Sequence, residues 1–159
     1  MANGHVRGDF KALDAFVKGM TGPKMVVKLG VFGNKNTRDE GGGTTNAEIG
    51  LVHELGSRSR NIPSRSFLRM PLHQRQTEIV AETKVGAEKK LAEGNVVGVL
   101  NTLGASCHNA VQDAFGSQGF GTWPDDKEAT KARKGKDPAV LIDSGQLRRS
   151  IAWKVEKNV

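Results

Sequence analysis

The sequence predicts an α+β domain: a small antiparallel β-sheet packed against long α-helices, with long flexible loops. Three observations predict it. Residues 24–32 and 150–157 carry strand patterns near opposite ends of the chain. Between them, apolar residues recur at helical spacing. Glycine, 20 of 159 residues, breaks the chain into short elements and turns.

The elements follow in order. Phe10, Leu13, Phe16 and Val17 predict a short amphipathic helix over residues 10–20, closed by the stretch from Gly19 to Pro23. Val26, Val27, Leu29 and Val31 predict a strand over residues 24–32. Residues 33–45 are polar and Gly-rich, which predicts a mobile loop. Ile49, Val52 and Leu55 share one face of a helix over residues 46–55, with Asn46 as its expected N-cap. A turn over residues 56–63 and an extended stretch over 64–70 lead to Pro71, which suits the first turn of a helix. That helix is expected to run to about Glu93 and stop at Gly94, with only a narrow apolar stripe.

Residues 95–115 predict a second long helix. Val96, Leu100, Leu103, Cys107, Ala110 and Ala114 recur at steps of three or four and mark its core face. Cys107 on that stripe reads as a small buried hydrophobe. Residues 116–138 are rich in Gly and Lys and predict a second long loop. A helical turn near Ser144 precedes a half-buried strand, with Ile151, Trp153 and Val155 on one face and Lys154 and Glu156 on the other. The chain length suits a single domain spanning residues 1–159, with mobile loops at about 33–45 and 116–138.

Composition narrows the function classes. Hydrophobic residues are 36% and aromatics 5%, so the core is aliphatic and modest. No run approaches the ~18 apolar residues of a membrane span, and the first ten residues lack a signal-peptide core. A single cysteine excludes an intrachain disulfide and fits a reducing compartment. The net charge of +7 favours acidic partners, either nucleic acid or an acidic protein surface. The basic residues are densest from Lys127 to Lys136 and again at Arg148 and Arg149.

No residue pattern carries catalysis. His53 and Glu54 begin a zinc-protease-like His-Glu-x-x-His, but position 57 is Ser57, so the second imidazole ligand is missing. Polar packing at a helix end is the expected role of the pair. Cys107 and His108 are sequence neighbours, which on a helix diverge by about 100° and cannot act as nucleophile and base. The glycines at 41–43 lack the Lys-Ser/Thr of a phosphate loop. The basic tract lacks interleaved aromatics, which leaves only salt-dependent backbone contact with nucleic acid.

Two segments resemble a known family. The first runs from Asn46 through His53-Glu54-Leu55-Gly56 to Ile62-Pro63-Ser64-Arg65-Ser66-Phe67-Leu68-Arg69. The second comprises Gly121-Thr122-Trp123-Pro124 and then Leu141-Ile142-Asp143-Ser144-Gly145-Gln146-Leu147-Arg148-Arg149-Ser150-Ile151. In this order they are similar to the signatures of tailed-bacteriophage virion-morphogenesis proteins, the tail-completion, tail-terminator or neck proteins of Mu-like and P2-like phages. The chain departs from that pattern at Leu55, Ser66 and the pair Asp125-Asp126.

The resemblance implies a structural virion protein of the head–tail junction, not an enzyme, with no cofactor and no metal. It implies assembly in the host cytoplasm into a homo-oligomeric, hexameric ring. The partners implied are the tail tube protein and the head–tail connector or head-closure protein, with non-specific proximity to DNA and no membrane. Arg65, Phe67, Arg69, Trp123, Lys131, Lys134, Arg148 and Arg149 are the interface candidates. Asp143-Ser144-Gly145 is expected to turn the chain so that Leu147 points inward and the two arginines outward. The alternative function is a basic nucleic-acid-binding accessory protein acting through Lys131, Lys134 and Lys136.

Overall fold

The computed structural model describes residues 22, 24–38, 43–134 and 139–157. The helix expected over residues 10–20 lies outside the described residues. Among the described residues, seven α-helices accompany a two-stranded antiparallel sheet, the α+β class that the sequence predicts. In chain order the elements are β1 (Met25–Val31), a 3-10 turn (Gly33–Asn36), α1 (Asn46–Leu55), α2 (Arg69–Gln74), α3 (Gln76–Lys84), α4 (Ala87–Ala92), α5 (Val96–Gly116), α6 (Glu128–Lys134), α7 (Gln146–Ser150) and β2 (Ile151–Lys157).

The two strands join the ends of the described chain. Val31 pairs with Ile151, Leu29 with Trp153 and Val27 with Val155. Strand alternation puts these apolar pairs on one face, and α5 packs against both strands. On the opposite face Lys28 and Lys154 each pair with Glu156, the latter at 2.7 Å.

Helix α5 is the central support. The Asn95 side chain caps it, accepting from Gly98 N at 2.8 Å. Gly104 lies directly under the Trp153 indole, where a Cβ would overlap the ring. The buried residues of its last turns are Ala110, Val111, Ala114 and Phe115. Phe115 stacks with Phe67 at 5.3 Å between ring centroids and meets Trp123 edge-on at 5.7 Å. Val140, Leu147 and Ile151 complete this core. Cys107 is half-buried on α5.

The structure differs from the sequence expectation at three places. Thr45 caps α1, not Asn46: its hydroxyl accepts from Glu48 N at 3.2 Å while Glu48 accepts from Thr45 N at 2.8 Å, a capping box. Asn46 is buried and donates to Lys35 O and Thr37 O, which binds α1 to the 3-10 turn. The single helix expected from Pro71 to Glu93 is three helices. Arg75 leaves helical geometry at φ −97°, ψ 14°, and Val85 is extended ahead of Gly86 at φ +71°. Finally, the expected loop over 116–138 carries α6.

Candidate functional site

The His53-Glu54 pair ends α1, and its surroundings explain why the chain folds as it does there. Gly56 at φ +76° turns the chain so tightly that a Cβ would sit 2.8 Å from Ser64 N. A hairpin follows, closed by paired backbone bonds between Ser57 and Ile62. The returning strand runs beside the end of α1: Arg65 N donates to His53 O at 2.7 Å, and Ser64 Oγ donates to Glu54 O at 2.8 Å.

This return places the Glu54 carboxylate against the start of α2. It accepts from Ser66 Oγ, Phe67 N, Leu68 N, Arg69 N and Arg69 Nε at 2.7–3.2 Å. Orphan amides at a helix start attract an anion, and here the anion comes from thirteen or more residues earlier in the chain. Burial pushes the Glu54 carboxyl up, but the bonds from Leu68, Ser66 and Arg69 outweigh it and hold the pKa below its ordinary value. The carboxylate is engaged as a structural cap on the start of α2.

Arg65 extends the site to the far half of the sequence. Its Nε donates to Pro124 O at 2.7 Å, and its guanidinium reaches Asp125 O at 2.8 Å and the Asp126 carboxylate at 3.1 Å. Lys134 on α6 donates to Asp126 at 2.7 Å and to Ala139 O at 2.7 Å. All three charged side chains are at least nine-tenths buried. Trp123 Nε1 donates to Ser66 O at 3.3 Å, and its indole covers Gly119, where a Cβ would overlap it. Gly50 on α1 admits both Phe67 and Leu147, whose nearest atoms would lie 3.2 and 3.4 Å from a Cβ.

A pocket of about 260 Å³ opens beside this network, lined by His53, Asp126, Arg133, Lys134 and Asp143 among others. His53 Nδ1 is buried there with no hydrogen-bond partner among the described residues. Burial lowers the His53 pKa first, and the Arg65 and Lys134 cations lower it further against the pull of Asp126.

The eight interface candidates divide by position. Arg65, Phe67, Trp123 and Lys134 lie in the interior, engaged by the chain's own core and carbonyls. Arg69 is 72% exposed although its Nε binds Glu54. Lys131 pairs with Asp125 and Glu128 at the surface. Arg148 exchanges hydrogen bonds with Gln112 and is half-buried, and Arg149 is exposed. The Asp143-Ser144-Gly145 turn directs Leu147 inward as expected, with Gly145 at φ +75° and no side-chain cap on α7.

Sequence reasoning missed Asp126, which lies 61 residues from the arginine it binds and carries no local signal. It also missed the capping role of Glu54. A carboxylate ahead of a Gly turn and a Ser-Phe-Leu-Arg segment was the available clue.

Among the described residues no group of three His, Cys, Asp or Glu side chains could hold a metal ion. Burial raises the Cys107 thiol, the opposite of what a thiolate nucleophile needs. No described helix is long and apolar enough to cross a membrane.

No protein-family model, curated protein or solved structure matches the chain.

Proposed function

We propose that this chain is a structural component of a tailed-phage head–tail junction, a tail-completion or neck subunit that works by assembly into a ring. The observation that carries the reading is the physical union of the two signature segments. Arg65 and Ser66 of the first bind Pro124 and Trp123 of the second, and Gly50 seats Leu147. Two resemblances far apart in sequence therefore belong to one packed unit, as they would in a single inherited module. The residues they share are the ones a framework needs: a cap, a turn glycine, a buried arginine and a core tryptophan.

The outer surface suits subunit contact. Leu51 and Leu55 are one turn apart on α1, 61% and 57% exposed. An exposed apolar pair is the kind of surface that a neighbouring subunit covers. Arg69 and Arg149 supply exposed guanidiniums that pair carboxylates of a partner bidentately. Six subunits, the tail tube and the head connector remain the assembly and partners this reading proposes.

The basic run gives little support to the nucleic-acid alternative. Of the lysines that alternative names, Lys131 and Lys134 each pair with a carboxylate of the same chain, and Lys136 lies outside the described residues. The test is electron microscopy of particles lacking this protein. The proposal expects free tails beside filled or leaking heads; normal joined particles refute it.

A further inference from the structure

We propose that the pocket beside His53 is a binding site for a single oxyanion, a carboxylate or phosphate group. The argument begins with charge. Arg65 and Lys134, with side chains 5% and 7% exposed, both contact the one carboxylate of Asp126, itself 8% exposed. Two buried cations share one buried anion. Carbonyls of Pro124, Asp125 and Ala139 accept further bonds from the two cations and bring no charge, so among the described residues this buried trio is net positive. Buried charge without its counter-charge is costly, and a bound anion removes that cost.

Glu54 does not supply the counter-charge, because its carboxylate is taken up by Arg69 and the amides that open α2. At the pocket wall Arg133, 64% exposed, is paired at 2.7 Å with Asp143, which lines the pocket too, so the pair presents a guanidinium there without adding net charge. The second observation is independent of charge. His53 lines the same pocket, and its buried Nδ1 has no partner among the described residues, so a polar ring atom awaits one. Protonated, the imidazole donates through Nδ1 to an oxyanion; burial first, and then the Arg65 and Lys134 cations, oppose that protonation, and a bound anion offsets the cations. The volume of about 260 Å³ fits a small anion or the head of one acidic side chain, and excludes a duplex.

This site is independent of the assembly reading, since the residues that line it all belong to one chain. The experiment follows the His53 ring nitrogens by NMR in the full chain, titrated with sodium phosphate, sodium acetate and sodium chloride at matched ionic strength. The expected result is a saturable His53 shift at millimolar phosphate or acetate, with little response to chloride. Response to acetate as well as phosphate marks a site that accepts an acidic side chain; response to phosphate alone marks a phosphate site. The variant Arg133→Ala, at the exposed wall, is expected to weaken the titration several-fold while leaving the spectrum folded. No saturable shift with either oxyanion overturns the proposal. So does an equal shift with chloride, which reports screening, or an unchanged midpoint in Arg133→Ala and Lys134→Gln together.

Discussion

At the residue scale, Glu54 and Arg65 decide the local structure. Replacing Glu54 by Ala orphans the amides of Phe67, Leu68 and Arg69 at once. The expected cost is about 2–4 kcal/mol, measured by urea unfolding. Both Glu54 and His53 have folded pKa values below their ordinary values of 4.5 and 6.5. For each, the stabilising contribution is present above the ordinary value and is lost as pH falls through the folded one. Acidification in a phosphate-free buffer is therefore expected to lower stability in two stages, the first beginning below 6.5 and the second below 4.5. His53→Gln abolishes the first stage and Glu54→Gln reduces the second, to which Glu48, Asp125 and Glu156, also held below their ordinary values, add; both stages unchanged in both variants contradicts these assignments. His53 and Glu54 were legible as a pair at a helix end. Their partners were not, because a cap and an ion network depend on where a hairpin returns, not on local spacing.

At the element scale, α5 was the most legible part, since its apolar stripe is long and regular. Its closest contact was not legible: Gly104 looks like a helix weakener until Trp153 is seen to lie across it. Gly104→Val is expected to destabilise by about 1–3 kcal/mol or more through overpacking, read as a lower Tm with intact helical circular dichroism at low temperature. The segment from Trp123 to Lys134 was read as a loop because its lysines give no apolar period. It holds its shape through Arg65 and Asp126 instead, which no sequence window contains. Arg65→Lys keeps the charge but loses the planar fork. Hydrogen exchange of the amides in α6 is expected to rise at least tenfold in that variant, with α5 little changed. Equal protection in both proteins shows that the segment does not depend on Arg65. The polar helix after Pro71 failed as one element because Gly86 adopts φ +71°, a break that a weak apolar stripe could not override.

At the scale of the whole molecule, one framework carries the two signature segments, while the exposed face of α1 is left for contact. Leu51→Asp changes a side chain that is 61% exposed, so folding stability is expected to move by no more than about 0.5 kcal/mol. Self-association, followed by sedimentation, is expected to fall sharply. A variant that unfolds, or that associates as before, removes α1 from the proposed contact. The resemblance was legible through residues whose work is now visible as capping, turning and core packing, and the exposed side chains proposed for subunit contact, Leu51, Leu55, Arg69 and Arg149, lie in the same two segments. The central claim is that the protein is a joint between head and tail. Cryo-electron microscopy of intact particles tests it most directly. The account predicts a ring of this fold at the head–tail junction, with α1 against the adjoining subunit; density for the chain elsewhere in the particle, or none at all, contradicts it.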